Sequence, residues 1–299
     1  MDSWRKSPIA FLATYIPPIF WLLFFFLIPL TLIWGYSFSE KVGIVDIDLT
    51  WTFDNYARAL DPLYLKILWK SLWMAAVTTA ICLVIAFPVS LVITFAPQTT
   101  RNWLLMLVIL PSWINLLIRT YALIAVLRTR GQLNFGLEWI WLKVDGLLQV
   151  FGLSLGKFQA LELLYNNGAV VIGLVFVYLP FMVLPLFAAL DRMDKSLMEA
   201  SMDLGAGRAR TIMNIAVPLA LPGIISGIII TFIPSLGSYL TPDLLGGTDS
   251  QMIANVIERQ FKSANDLPFG SALSFILLYA TFFALALRSL LARRQQDRR

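Results

Sequence analysis

The chain has 299 residues, of which 59% are hydrophobic and only 14% charged, with a formal net charge of +5 at neutral pH. A soluble domain carries about 25% charged residues, so this chain cannot clothe its surface in polar groups, and its long apolar runs predict an all-α integral membrane protein. The absence of histidine excludes imidazole catalysis, His-ligated metal and His proton relays, and the single cysteine, Cys82, can close no internal disulfide and reads as a small packing residue.

In chain order, six segments reach the roughly 20 apolar residues that a bilayer crossing needs: 11–37, 67–95, 103–127, 168–190, 219–240 and 271–292. The first follows MDSWRKSP, but it is longer than a signal-peptide core and lacks a small-x-small cleavage pattern, so it reads as a retained span. Pro17, Pro18, Pro29, Pro88, Pro111, Pro180, Pro185 and Pro234 fall in or near spans. Each frees a carbonyl that must find another partner, which suits helices facing protein or a wet cavity and a transporter more than a rigid anchor. The third span contains Arg119, which either sits at depth beside a pathway or pairing partner or snorkels from the outer end.

Between the third and fourth spans lies a long outer loop, 128–167, whose LEWIWLKVDGLLQVFG run suits the interface or short helices there. Its GLSLGKF at 152–158 imitates a P-loop but has three residues between the glycines and Phe158 after the lysine, so it is no phosphate cradle. With the N-terminus inside, the inner segments hold twelve basic and six acidic residues, against eleven and twelve elsewhere. The positive-inside rule then places both termini in the cytoplasm, with the ARRQQDRR tail as an anchor and 191–217 as a cytoplasmic loop.

That loop carries MEASMDLGAGRARTIMNIAVPLALPGI at 198–224. SLMEASMDL favours a helix that Gly205 and Gly207 can end in a left-handed cap, and RARTIMNIAVP suits a second short helix ending near Pro218 and Pro222. Two short helices about a glycine elbow make a stiff handle, and its apolar Met198, Ala200, Met202 and Leu204 predict a partner. Gly223 and Gly227 in GIISG are a small-xxx-small pair for close helix packing. At the outer ends of spans, Trp113, Tyr121, Tyr178 and Tyr239 are either belt aromatics or ring faces for a cation, with Asp243 in SLGSYLTPDLLGG adding a carboxylate and Gly246-Gly247 a turn of close backbone approach.

Glu199-Ala200, Gly205 six residues on, and Ile215-x-Val217-Pro218 resemble the EAA motif of bacterial ABC importer permeases, with Ser201 and Val217 as departures from its third alanine and its leucine. The stretches 51–64 (WTFDNYARALDPLY), 111–122 (PSWINLLIRTYA), 179–187 (LPFMVLPLF), 235–247 and 266–274 (DLPFGSALS) are similar to the polyamine (spermidine/putrescine) branch of that family, over roughly residues 15–290. The resemblance implies a MetI-like type I permease fold in the bacterial inner membrane, and a transport subunit, not an enzyme, with ATP bound by partner ATPases and no cofactor or metal of its own. It further implies a second homologous permease, two ATPase subunits and a periplasmic binding protein as partners. Glu199, Ala200, Ser201, Asp203 and Gly205 are then the expected ATPase-coupling residues, and Trp113, Tyr121, Tyr178, Tyr239 and Asp243 the expected path of a small cation. The same pattern also fits importers of opines, phosphonates or other small solutes. An autonomous channel or secondary carrier would need a membrane carboxylate or a pore-lining repeat, and a membrane enzyme a catalytic cluster; the sequence offers neither.

Overall fold

The computed structural model describes residues 8–43, 46–149 and 156–296. The N-terminal MDSWRKS with its Arg5 and Lys6, most of the false P-loop, and the final Asp297, Arg298 and Arg299 lie outside the described residues. The chain divides into two compact units, Ile67–Asn255 and a second one made of the chain up to Lys66 together with Val256 onward.

The latter unit begins with α1 (Pro8–Leu22) and α2 (Ile28–Tyr36), joined by a widened π-type turn at Leu23–Leu27. Pro29 has no N–H to return to the carbonyl four residues back, Phe25, and that carbonyl lies inside the widened turn, which accommodates the missing bond. A two-stranded hairpin follows, β1 (Glu40–Val42) against β2 (Asp46–Asp48), then α3 (Asp54–Ala59). The same unit contains α13 (Ile253–Lys262) from Val256 onward and α14 (Leu267–Gln296). Two stretches that carried the family resemblance meet here. Arg58 Nη1 donates to Asp266 Oδ2 at 2.8 Å and lies over the Phe269 ring, while Asp266 Oδ1 accepts the Phe269 N–H at 3.2 Å and so caps α14. Phe38 sits amid Trp34, Trp51, Phe53 and Tyr56 with ring centroids 5.0 to 5.9 Å away.

The larger unit holds most of α4 (Pro62–Phe95), then α5 (Gln98–Trp113), α6 (Leu116–Leu127), α7 (Gln132–Gln149), α8 (Asn167–Asp191), α9 (Ser196–Asp203), α10 (Arg208–Thr211), α11 (Val217–Leu236) and α12 (Leu240–Leu245). Its centre is α8 packed on α11. A Cβ placed at Gly223 would stand 2.5 Å from Ala189 Cβ and 2.6 Å from the Pro185 carbonyl, and one at Gly227 would stand 2.6 Å from the Met182 sulfur. The GIISG pattern is therefore a packing device within the chain, the expected use of small residues where lipid offers no hydrophobic drive. Cys82 is buried with Ala86, Ile93, Met182, Val183 and Leu186, as a packing residue should be.

Three expectations change. The third apolar segment, 103–127, is not one rod: α5 and the helical run Leu116–Gln149 that follows are bent by 97° across Ile114 and Asn115. Ile114 is extended, and the Asn115 side chain accepts from the Leu117 N–H at 2.8 Å, so a new cap starts α6. The stretch after Gly207 is not a short helix ending at Pro218 and Pro222, since helical structure runs unbroken from Arg208 to Leu236. Its π-type turn at Ile212–Ala216 holds the Asn214 carbonyl, four residues before Pro218, and so repeats the device seen before Pro29. Lastly, the 128–167 loop does carry a helix, but α7 runs to 18 residues, longer than the short helices expected there. Among the described residues four helices can cross a bilayer by length and composition, or five if the bent pair counts as one, and Leu267–Phe283 adds a shorter apolar helix.

Candidate functional site

The handle is built from the end of α8 forward. Arg101 Nη2 donates to Asp191 Oδ2 at 2.6 Å and stacks its guanidinium over Phe187, which fixes the last turn of α8. Asp194 Oδ1 then accepts the Ser196 N–H at 3.0 Å and opens α9, and bonds from Ser196 hold the Asp194 carboxyl below its ordinary range. Lys195 Nζ donates to the Thr94 carbonyl at 3.0 Å, tying the start of α9 to the end of α4. Met198 is the anchor: it is buried with Leu190, Met193, Ala216 and Ala220. Glu199, Ala200 and Asp203 stay exposed, Ser201 is half-buried, and Leu204 stands 90% exposed.

The glycine elbow has the predicted form. Gly205 has φ +85°, its N–H donates to the Met202 carbonyl at 2.9 Å, and the Ala206 N–H donates to the Ser201 carbonyl at 3.1 Å. These are the two bonds of a Schellman cap. Ser201 adds a tie of its own, since its Oγ lies 3.1 Å from Thr211 Oγ1 across the elbow. An alanine there could make no such bond, so the departure from the motif stiffens the handle. All five expected coupling residues thus lie on one capped helix and its turn.

The expected path residues are less united. Tyr178 donates its hydroxyl to the Pro234 carbonyl at 2.9 Å, the carbonyl of a residue in the last turn of α11. Tyr239 and Asp243 are four residues apart at the start of α12, the Asp243 N–H donates to the Tyr239 carbonyl at 3.0 Å, and the Asp243 side chain is exposed. Trp113, 75% exposed beside the bend, and Tyr121, also exposed on α6, have no ring or polar partner among the described residues. Arg119 is only 8% exposed, which rejects snorkelling; its Nη2 donates to the Ile114 carbonyl at 3.0 Å, while Nε and Nη1 have no acceptor among the described residues. The Ile114 carbonyl is free to accept because the helix breaks there, so one basic side chain serves the bend. The Gly246-Gly247 approach is to the chain itself: a Cβ at Gly247 would overlap the Tyr165 carbonyl, and Tyr165 donates its N–H to the Leu245 carbonyl at 2.9 Å.

Sequence reasoning missed a row of hydroxyls. Thr231, Ser235 and Thr241 bury oxygens without a partner among the described residues, and Asn255 Nδ2 donates to the Tyr239 carbonyl at 2.8 Å. The signal was present in TFIPSLGSYLT, where Thr231 and Ser235 fall one helical turn apart in an apolar run.

Comparison with known proteins gives these sites a setting. The spermidine/putrescine transport system permease protein PotB of Escherichia coli K12 is 39% identical over 257 residues, 86% of this chain and 88% of that protein. PotB of Haemophilus influenzae is 37% identical over 255 residues, 85% of this chain and 84% of that protein. The fold is similar to that in a crystal structure of a bacterial alginate ABC transporter bound to its alginate-loaded periplasmic protein, at a TM-score of 0.73, 16% identity and 98% coverage of both chains. Residues 86–297 match the family described as binding-protein-dependent transport system inner membrane component, and the chain belongs to that family.

Proposed function

We propose that this chain is one permease subunit of an ATP-driven importer that carries polyamines such as spermidine and putrescine inward. The observation that carries the reading is the identity of 37–39% with polyamine permeases over most of the chain. In this reading the chain contributes six crossings, the bent α5–α6 pair counting as one, with both termini and α9 on the cytoplasmic side. The Glu199–Gly205 handle docks on an ATPase subunit, a second homologous permease completes the pathway, and a periplasmic binding protein delivers the solute. The capped elbow suits such a role because its fixed geometry lets a push on α9 move α11, instead of bending the loop.

Tyr178, Tyr239 and Asp243 are the residues best placed to meet a cation: Tyr178 stands midway along α8 and not at the outer end expected of it, but its hydroxyl reaches the last turn of α11, and Tyr239 and Asp243 follow at the start of α12. Ring faces and one exposed carboxylate attract ammonium groups without holding them hard. Trp113 and Tyr121 complete the proposed path from the side of the bend. Buried Arg119 favours the second reading, the same architecture importing an opine-like or otherwise anionic solute. Uptake of labelled spermidine, putrescine and an opine by the complete assembly decides between them. Saturable polyamine uptake without opine uptake is the expected result, and the reverse overturns the polyamine reading.

A further inference from the structure

Beneath the handle lies a cavity of about 450 Å³, lined by Leu91, Phe95, Met198, Met202, Arg208 and Ile212. Its walls are almost wholly apolar. Thr211 also borders it, but its hydroxyl is engaged with Ser201. Water needs two to four polar partners to settle in a cavity and finds too few here. Two cations are close by: Arg208, which lines the cavity, exposed and without an ion pair among the described residues, and Lys195, whose Nζ lies 5.4 Å from the ring centre of the lining Phe95 while it donates to the Thr94 carbonyl at 3.0 Å. An occupant that fits is apolar along its length and anionic at one end.

The depth of the cavity says what supplies it. Leu91 and Phe95 belong to the last two turns of α4, a 34-residue apolar helix about 51 Å long against a hydrocarbon core of ~30 Å, so the cavity opens in the headgroup region where that helix emerges. The handle is also oriented for it. At 3.6 residues per turn Met198 and Met202 share one face of α9, while Ala200 and Leu204 occupy the opposite face and Glu199 and Asp203 the flank between. A soluble partner docking on α9 meets the Ala200–Leu204 side; the methionine side is turned to the span. Methionine walls adapt to an irregular flexible chain.

We propose that this cavity holds an acyl chain of an anionic phospholipid, with its phosphate between Arg208 and Lys195, and that lipid bound there braces α9 against α4. The proposal rests on the orientation given above, with α9 at the cytoplasmic face. It makes the coupling handle responsive to the anionic lipid content of the inner leaflet.

The test uses the complete transporter in nanodiscs of phosphatidylcholine with and without phosphatidylglycerol. Native mass spectrometry reads the lipid retained, and ATP hydrolysis with the loaded binding protein reads coupling. Wild type is expected to retain phosphatidylglycerol in preference to phosphatidylcholine and to hydrolyse ATP faster when it is present. Arg208→Gln should weaken that retention about fivefold, the factor that corresponds to ~1 kcal/mol for one basic side chain at an anionic surface. Met202→Trp should fill the cavity, abolish retention and remove the lipid dependence. Equal retention by wild type and Arg208→Gln overturns the proposal whether or not Met202→Trp folds. So does a Met202→Cys variant that crosslinks to the ATPase, since the cavity then holds a protein side chain. If Glu199→Arg leaves coupling intact while lipid retention persists, the docking reading fails and the lipid site stands.

Discussion

Replacing Gly205 tests the elbow with the fewest side effects, because the structure separates its torsional cost from its steric cost. A Cβ at Gly205 meets nothing within 4 Å, so alanine is opposed only by the backbone, whose φ is +85°. Holding an L-residue in the left-handed region costs about 1–2 kcal/mol. That strain falls on the two cap bonds, Gly205 to Met202 and Ala206 to Ser201, and shifts the ratio of capped to uncapped handle by a factor of about 5–30. Asparagine tolerates this region better than alanine, and a β-branched residue tolerates it worst. In proteoliposomes holding the whole transporter, binding-protein-stimulated ATP hydrolysis and uptake should therefore fall in the order Gly205, Asn, Ala, Val. Assembly of the subunits, measured by copurification, controls for misfolding. Full coupling in Gly205→Ala, or asparagine no better than alanine at equal assembly, would refute the claim that the cap geometry transmits force.

Four further outcomes follow from the same geometry. Ser201→Ala and Thr211→Val each remove the 3.1 Å bond across the elbow, so a double-mutant cycle on thermal stability should show a coupling near ~1 kcal/mol, and additive losses would deny the tie. Glu199→Arg alters an exposed side chain, so the permease should fold and insert normally while copurification of the ATPase drops; unchanged copurification removes Glu199 from the docking face. The Asp194 carboxyl is held below its ordinary value of 3.8 by bonds from Ser196, so its support for the start of α9 is complete above that pH and is lost as pH falls through the lower folded value. Hydrogen exchange at the Ser196 amide should accordingly quicken only in strong acid, and Asp194→Ala should abolish the pH step. Tyr178→Phe loses the bond to the Pro234 carbonyl and should depress uptake more than stimulated ATP hydrolysis, whereas equal losses in both would make Tyr178 a purely structural residue.

Much of this was legible in the sequence, where one property decided the outcome. Apolar length found the four long apolar helices, small residues at 223 and 227 found the α8–α11 contact, and Gly205 found the left-handed cap because few other residues accept that φ. Proline was harder to read. Pro111 stands two residues before the α5–α6 bend, yet Pro218 and Pro222 sit inside a continuous helix, the first accommodated by a widened turn upstream. Whether a proline breaks a helix depends on neighbours that a linear pattern does not rank. Arg119 was equally undecidable from position alone, for its burial follows from a bend that frees the Ile114 carbonyl.

The continuity of Arg208–Leu236 changes what the handle can do. A helix of 29 residues rises about 44 Å at 1.5 Å per residue, longer than the ~30 Å hydrocarbon core, so a single rod joins the elbow to the turn at Pro234. Near its first turn, Ser201 meets Thr211; in its last turn, the Pro234 carbonyl accepts from Tyr178. Had the segment been two helices hinged at Pro218, motion at the elbow would dissipate in the hinge. As one rod gripped by α8 at Gly223 and Gly227, it can only slide or tilt against that contact, and either motion is felt first at Tyr178, Thr231 and Ser235. The elbow and the buried hydroxyls of Thr231 and Ser235 thus lie toward opposite ends of one continuous helix.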